Sequence, residues 1–168
     1  KFAAVGEIGL DFYWDRSFET QQYQAFHQQI EWALQYELPI VIHSRQSTEQ
    51  SISVVREHQK GRLGGIFHCF NEDEKAAREI VRLGFYLGIG GTVTYKNSKL
   101  PNVLRSIPLE HIVLETDAPY LPPVPFRGKR NESSYISYVA LKLAEIKGVD
   151  VETVAAVTTA NALKIFAR

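Results

Sequence analysis

The segment His111-Ile-Val-Leu-Glu-Thr-Asp-Ala-Pro-Tyr120 places two carboxylates directly after a short apolar run. The run Ile112–Leu114 is typical of a strand that is buried on both faces of a parallel sheet. Glu115 and Asp117 follow it within three residues. Because a carboxylate at the end of a buried strand is unfavourable without a partner, the segment predicts that a metal ion binds there.

Strands and helices alternate along the rest of the chain. Five apolar runs are predicted as strands, at residues 2–8, 39–43, 64–68, 85–89 and 112–114. Helical spacing of apolar residues between these runs predicts the intervening helices, and two more helices follow the last strand. This order predicts an α/β fold with a parallel sheet and right-handed crossovers. By periodicity alone, an open doubly wound sheet and part of a barrel satisfy the pattern equally well.

The composition is typical of one globular domain, residues 1–168. Hydrophobic residues make up 45% of the chain and charged residues 23%, and a chain of this length can bury one sizeable core. No stretch approaches the roughly 18 apolar residues that a membrane helix requires, so no membrane association is expected. The single cysteine, Cys69, excludes an internal disulfide and favours a cytoplasmic location. As it follows His68, it is predicted to be a buried, inert thiol.

Four potential metal ligands share one position relative to the predicted strands. Glu7, His43, His68 and Asp117 each lie at or just after the carboxyl end of a separate strand. These ends meet at one edge of a parallel sheet, where barrel enzymes build their active sites. One such histidine is more often an ordinary polar residue, but four coincidences favour a metal site. Two imidazoles and two carboxylates suit Zn²⁺, Mn²⁺ or a similar divalent ion, or a pair of ions that share a carboxylate.

Basic residues are predicted at the same edge of the sheet. A formal net charge of zero argues against a broad electrostatic grip on duplex nucleic acid, although a small cluster can still hold a few phosphates. Arg127 and Lys129 lie in the loop after the fifth strand, and Arg45 comes two residues after His43. A helix predicted to begin at Asn131 would add its N-terminal N–H groups to this phosphate site. A solvated basic loop explains the same residues equally well.

Four aromatic residues are predicted in loops at this edge: Tyr13, Trp14, Tyr120 and Phe126. Exposed aromatic rings can stack on a base or a sugar. Packing at the rim of the site is the alternative explanation.

Six motifs along the chain resemble those of the TatD-like metal-dependent deoxyribonucleases, which are amidohydrolase-like barrels. The motifs are Glu7-Ile-Gly-Leu-Asp11, Ile42-His-Ser-Arg45, Phe67-His-Cys-Phe70, Gly88-Ile-Gly-Gly-Thr92, Leu114-Glu-Thr-Asp-Ala-Pro-Tyr120 and Arg127-Gly-Lys-Arg-Asn131. They stand in the family's order and spacing over the whole length of the chain. The resemblance implies a (β/α)₈ TIM-type barrel that cleaves phosphodiester bonds in DNA, in several members as a 3′-to-5′ exonuclease.

The resemblance also implies a role for each predicted ligand. Glu7 corresponds to a carboxylate that bridges two divalent cations (Mg²⁺, Mn²⁺ or Zn²⁺). His43 and His68 correspond to ligands of one ion. Asp117 corresponds to a ligand of the other ion and to the catalytic residue that takes a proton from the attacking water. The expected partner is therefore a DNA or oligonucleotide substrate, and no obligate protein partner is predicted.

The sequence departs from the family pattern at its start. The family's first strand carries a His-X-His pair that binds the same ion as Asp117. The remaining histidines here, His27, His58 and His111, stand at unsuitable places and are predicted to be structural or exposed. We therefore expect a C-terminal fragment made of the last five β-α units, with about three N-terminal units missing. Such a fragment is expected to keep at most one competent metal position.

Two other functions remain compatible with the sequence. One is an amidohydrolase-type barrel that hydrolyses an amide, a lactone or a phosphotriester. The other is a truncated product without turnover, or a binding module with a residual ion site.

Overall fold

The computed structural model describes residues 2–166 of the chain. It contains five strands: β1 (Val5–Asp11), β2 (Ile40–Arg45), β3 (Gly65–Phe67), β4 (Tyr86–Ile89) and β5 (Ile112–Leu114). Its six α-helices are α1 (Glu19–Gln35), α2 (Thr48–His58), α3 (Glu74–Arg82), α4 (Leu100–Arg105), α5 (Ile136–Lys147) and α6 (Val151–Phe166). The predicted domain, 1–168, also includes residues 1, 167 and 168, which lie outside the described part of the chain.

The five strands form one parallel sheet in the order β1-β2-β3-β4-β5. The predicted α/β fold with a parallel sheet is therefore confirmed. A doubly wound sheet reverses its strand order at a switch point, and the described strands show no such reversal. Sequential parallel pairing with a helix after each strand is the arrangement of a barrel of the TIM type.

The two faces of the sheet carry different layers. On one face, alternate strand residues such as Leu10, Ile42 and Leu87 are fully buried against the helices in the main core. On the other face, a smaller apolar cluster joins Ile66 and Val113 to Ile165 of α6. Since successive side chains of a strand alternate between faces, the residues that follow on this second face stand above the small cluster at the carboxyl ends of the strands.

The first strand lies further along the chain than expected. The sequence predicted it at residues 2–8, whereas β1 begins at Val5 and continues to Asp11. Its pairing with β2 is irregular, because Val5 lies opposite Ile40 but Ile8 lies opposite Ile42, which leaves one extra residue in β1. An extra residue of this kind locally re-aims a side chain. The predicted position of Glu7 at the strand end is therefore wrong: Glu7 lies in the irregular segment.

The starts of α2 and α3 differ in their capping. Ser47 precedes α2, but its hydroxyl donates to the Leu10 carbonyl at 2.6 Å and makes no cap to the helix. The helix α3 is capped by Asp73, which accepts a hydrogen bond from the backbone N–H of Ala76 at 2.9 Å. A tertiary contact thus replaces the cap of α2, whereas α3 has a local one.

Both outer strands of the sheet pair on one side only among the described residues, β1 with β2 and β5 with β4. Beside β5, the helices α5 and α6 expose Leu141 and Leu163, and beside β1 the helix α1 exposes Trp32 and is followed by the exposed Tyr36. Unpaired strand edges next to exposed apolar side chains are sites where further chain can associate. None of the described helices combines the length and apolar character needed to cross a bilayer.

The side chain of Asn161 ties α6 to β5, and its loss is expected to destabilise the fold. Its amide donates to the carbonyls of Leu109 at 2.8 Å and Ile112 at 2.7 Å in a buried setting. We expect Asn161→Ala to lower the free energy of unfolding by about 1–3 kcal/mol, because two buried carbonyls lose their partner. Urea unfolding would measure this. Thr159→Ala, at an exposed position of the same helix, should change little, and equal losses would contradict the assignment.

Candidate metal centre

Three of the four predicted ligands come together on one face of the sheet, Glu7 and His43 from within β1 and β2 and His68 directly after β3. The Oε1 atom of Glu7 lies 2.5 Å from His68 Nε2 and 3.1 Å from His43 Nδ1. The two ring nitrogens are 3.3 Å apart. All three ligand atoms lie within 4.8 Å of one another. One ion at the usual distance of about 2.0–2.2 Å from each requires only small side-chain adjustments.

The sheet brings these side chains to one point. Each side chain is on the face opposite the main core, because the neighbouring residues Ile8, Ile42 and Phe67 are buried in that core. Parallel pairing then aligns the three adjacent strands. Glycine at position 88 keeps the space beside them open, since a Cβ there would collide with the Glu115 carboxylate and approach His68 Cα.

A second layer of carboxylates lies beside the outer nitrogens of the two imidazoles. Asp11 Oδ2 lies 3.0 Å from His43 Nε2, within hydrogen-bond distance, whereas Glu115 Oε1 lies 3.6 Å from His68 Nδ1 and accepts the Cys69 backbone N–H at 2.5 Å. This pairing favours protonation of the outer nitrogens and leaves His43 Nδ1 and His68 Nε2 as free lone pairs that face Glu7. Neutral imidazoles held in this way are the usual ligands of a transition-metal ion. The residues therefore fit a divalent cation.

Neither carboxylate of this second layer was assigned a role from the sequence. Asp11 was placed in a loop, because the predicted first strand ended at Ile8. A strand drawn through Asp11 would have put it on the same face as Glu7 by simple alternation. Glu115 directly follows the apolar run of β5, so its position already signalled a functional carboxylate, although Asp117 was preferred as the ligand.

Asp117, the fourth predicted ligand, is not among the three groups that meet. Its backbone carbonyl accepts a hydrogen bond from the Tyr120 N–H at 2.6 Å. Burial raises the pKa of its carboxyl group, and the nearby negative charges of Glu115 and Glu7 raise it further, against the opposing effect of His68. Asp117 is thus close enough to feel the cluster electrostatically, and its role as a ligand and proton acceptor stays a prediction.

The charges around His68 explain its protonation behaviour. Burial alone would lower the pKa of its imidazole, but the Glu115 carboxylate and the charges of Glu7 and Asp117 together raise the pKa above its usual value. The site therefore stabilises positive charge at the point where the ligands meet. A cation placed there would experience the same attraction.

The three predicted phosphate ligands all have exposed side chains. The guanidinium carbon of Arg45 lies 3.7 Å from the ring centre of Tyr13, and that of Arg127 lies 4.4 Å from the ring centre of Tyr95. Lys129 lies in the same loop as Arg127, where its backbone N–H donates to the Phe126 carbonyl. The faces of both guanidinium groups are thus occupied by rings.

The predicted helix start at Asn131 is wrong. Asn131 is buried, its amide donates to the Tyr120 carbonyl at 2.6 Å, and its backbone N–H donates to the Pro119 carbonyl. The helix α5 begins only at Ile136, after a short 3₁₀ turn at Ser133–Tyr135. Asn131 therefore ties the loop after β5 together, and the N-terminus of α5 does not directly follow the basic residues.

The parallel sheet with a helix after each strand has the arrangement of an α/β protein of the TIM-barrel type. Histidine and carboxylate side chains at one edge of this sheet form a potential metal site. A family model described as "TatD related DNase" matches residues 1–167. The chain belongs to this TatD family. It is 46% identical over 167 residues to the uncharacterized metal-dependent hydrolase YabD of Bacillus subtilis (strain 168), and 38% identical over 164 residues to the uncharacterized metal-dependent hydrolase YcfH of Escherichia coli (strain K12).

These matches cover 99% and 97% of this chain but only 66% and 62% of the two relatives, so the chain spans somewhat less than two thirds of their length. The crystal structure of YjjV, a TatD homolog from Escherichia coli K12, superposes with a TM-score of 0.92 at 32% identity. The superposition covers 98% of this chain and 64% of that chain. The family resemblance expected from the six motifs is thereby confirmed.

Removal of a second-layer carboxylate is expected to weaken metal binding. Asp11→Asn and Glu115→Gln keep the side-chain shape but remove the charge that orients His43 and His68. We expect each to reduce the affinity for Mn²⁺ or Zn²⁺ about 10- to 100-fold, as measured by isothermal titration calorimetry. Glu145→Gln, at an exposed carboxylate on α5, is the control and should bind as the parent chain does. Unchanged affinity in both test variants would contradict the orienting role.

Cys69 is expected to be unreactive in the folded, metal-free protein. Burial raises the pKa of its thiol to about 12, and the negative charges of Glu115, Asp117 and Glu7 add to the effect. Because only the thiolate reacts and its fraction falls as the pKa rises, reaction with an aromatic disulfide reagent at pH 8 should be at least about 100-fold slower than for a free cysteine. Unfolding in guanidinium should restore the ordinary rate. A native rate as fast as the unfolded one would contradict burial of the thiol.

Proposed function

We propose that this protein is a metal-dependent hydrolase that cleaves phosphodiester bonds in DNA, with 3′-to-5′ exonuclease action as its mode. The observation that carries the proposal is the convergence of Glu7, His43 and His68, whose ligand atoms lie within 4.8 Å of one another. The family model is named for deoxyribonucleases, and the relatives YabD and YcfH are named as metal-dependent hydrolases. Both names agree with such a site.

The residues of the site have three proposed roles in hydrolysis: binding the cation, orienting its ligands and accepting a proton. Glu7, His43 and His68 would hold a divalent cation, and Asp11 and Glu115 would keep the two imidazoles oriented toward it. A bound divalent cation lowers the pKa of water and offsets the negative charge of a phosphate. Asp117, whose pKa is raised by burial, is the proposed acceptor of the proton that the attacking water loses.

Basic side chains at the rim favour a phosphate substrate over a neutral amide or lactone. Arg45, Arg127 and Lys129 are the proposed phosphate ligands, and each is exposed. The guanidinium carbons of Arg45 and Arg127 lie over tyrosine rings at 3.7 Å and 4.4 Å from the ring centres, and a guanidinium on a ring keeps N–H groups for other partners. Guanidinium edges bind phosphate oxygens through paired hydrogen bonds. The amidohydrolase-type alternative offers no reason for this arrangement.

The proposal extends to the fold of the complete protein. The five strands are proposed to be the last five of an eight-stranded barrel, with about three further β-α units closing it between β5 and β1. Support comes from the sequential parallel order, from the unpaired edges of both outer strands, and from the greater length of the relatives. The exposed apolar side chains beside each edge, such as Leu163 and Tyr36, would then be covered.

Hydrolysis assays on matched substrates test the proposed function. With Mn²⁺, the complete protein with its proposed N-terminal β-α units is expected to release mononucleotides from an end-labelled single-stranded oligonucleotide and to leave a lactone and an amide intact. Glu7→Gln should reduce this release about 100-fold or more, because it removes the charged ligand shared by both imidazoles. The control, Glu145→Gln, should retain full activity. Faster lactone hydrolysis, no cleavage at any metal concentration, or unchanged cleavage by Glu7→Gln would contradict the proposal.

Metal stoichiometry gives a separate prediction. We expect this 168-residue chain to hold one tightly bound ion, because three ligands converge at one point and Asp117 stands apart from them. Metal analysis after dialysis measures the number directly, and Glu7→Gln should lower it. Two tightly held ions per chain would contradict the expectation of a single competent position.

A further inference from the structure

Two adjacent aromatic side chains are exposed beside the metal centre. Tyr13 has 46% and Trp14 has 78% of its surface accessible to solvent. Their rings meet edge to face with centres 4.7 Å apart, which is a favourable aromatic geometry. The pair is therefore held in a defined arrangement although it contributes little to the core.

Arg45 completes this arrangement. Its guanidinium carbon lies 3.7 Å from the ring centre of Tyr13 and 5.4 Å from that of Trp14. The strand β2 fixes the arginine, since Arg45 lies opposite Asp11 in the sheet and its carbonyl accepts the Phe12 N–H at 2.9 Å. Tyr13, Trp14 and Arg45 will be called the aromatic platform.

The aromatic platform is joined to the metal centre through one residue. Asp11 accepts a hydrogen bond from the Tyr13 backbone N–H at 2.9 Å through Oδ1, and its Oδ2 lies 3.0 Å from the metal-facing histidine, His43. A single carboxylate thus sets the position of the platform relative to the ligands. The platform and the ligands therefore lie at the same edge of the sheet.

From this geometry we propose that the aromatic platform is a binding subsite for an unpaired nucleobase, with Trp14 as the stacking surface and Arg45 as the contact to the adjoining phosphate. The inference rests on the proposed phosphodiesterase function and adds to it a residue, Trp14, that contacts the base. A base and the phosphate of the same nucleotide are separated by one sugar, which suits a ring and a guanidinium 5.4 Å apart. Stacking on an aromatic side chain requires the base to leave a duplex.

The charge distribution supports the same occupant. Arg45 uses its face for Tyr13, so its N–H edge is available for an anionic oxygen. The centre beside it carries Glu7, Asp11 and Glu115, which would repel an anion unless a cation were bound. A bound nucleotide chain would therefore have its scissile phosphate at the cation and a neighbouring base on Trp14. The base does not have to approach the carboxylates.

Tryptophan fluorescence tests the subsite without any hydrolysis. The chain has two tryptophans, Trp14 and Trp32, and Trp32 lies on α1 beside the start of β1. Trp32→Phe leaves Trp14 as the single reporter, and Trp14→Phe leaves Trp32 as the matched control. In buffer with Mn²⁺, a single-stranded oligonucleotide with hydrolysis-resistant phosphorothioate linkages should quench the first variant in a saturable way and leave the second unchanged. Quenching of both variants alike, or of neither, would overturn the proposal.

An abasic oligonucleotide of the same length separates base stacking from phosphate binding. It carries the same charge but no base to stack, so it should bind the Trp32→Phe variant about 5- to 150-fold more weakly than the ordinary oligonucleotide. A duplex of the same sequence should also quench poorly, because its bases are paired. Equal quenching and equal affinity for the ordinary and abasic strands would overturn the proposal.

Trp14→Ala distinguishes a failed subsite from a failed function. The exposed position should tolerate alanine, and the variant should bind the ordinary strand about 5- to 150-fold more weakly while its affinity for the abasic strand stays unchanged. Base-dependent binding without cleavage would contradict the proposed hydrolase function but support the proposed nucleobase subsite. Cleavage by Trp14→Ala with an unchanged KM would overturn the proposed subsite but support the hydrolase function.

Discussion

Repulsion among carboxylates at one edge of the sheet is the constraint on which the site depends. Glu7, Glu115 and Asp117 act together on His68, whose pKa they raise, and on Cys69, whose thiol they help to keep protonated. Among the described residues at this point, only imidazoles face the carboxylate of Glu7. A cation between the carboxylates would replace their mutual repulsion by attraction to the cation. The clustered carboxylates, which lower the stability when no cation is bound, therefore favour metal binding.

The backbone supports this cluster through positions that carry no charge. The extra residue in β1 directs Glu7 into the site. Gly9 has a φ of 140° and lies against the backbone of His43, where a Cβ would collide with its carbonyl. This conformation favours glycine, and it lets β1 approach β2 closely enough for Asp11 to reach the imidazole. The carboxylates therefore depend on a strand geometry that a side chain at position 9 would prevent.

Patterns that depend on local chemistry were predicted well, and those decided by distant contacts were not. The run Ile112–Leu114 coincides with β5, and His68 directly follows β3 as the strand-end argument expected, whereas β2 continues for two residues past His43. Glycines at positions 6 and 9 hid the continuation of β1, so Asp11 was overlooked. Ser47 and Asn131 are helix-capping residue types, yet each bonds to a carbonyl far away in the sequence. No local pattern distinguishes those partners from a helix N-terminus.

The position of Asp117 connects the incomplete ligand set with the open edge of the sheet. It follows β5, which pairs only with β4 among the described strands. In a parallel sheet, the residues after one strand are neighbours of those after the next. Glu7, His43 and His68 come from the three neighbouring strands β1, β2 and β3 or directly after them, whereas β4 lies between β3 and the strand that Asp117 follows. A strand paired with the free edge of β5 would bring its own carboxyl end beside Asp117. The open edge of β5 and the exposed apolar residues of α5 and α6 therefore lie at the end of the described sheet opposite β1, and Asp117 follows the strand at that end.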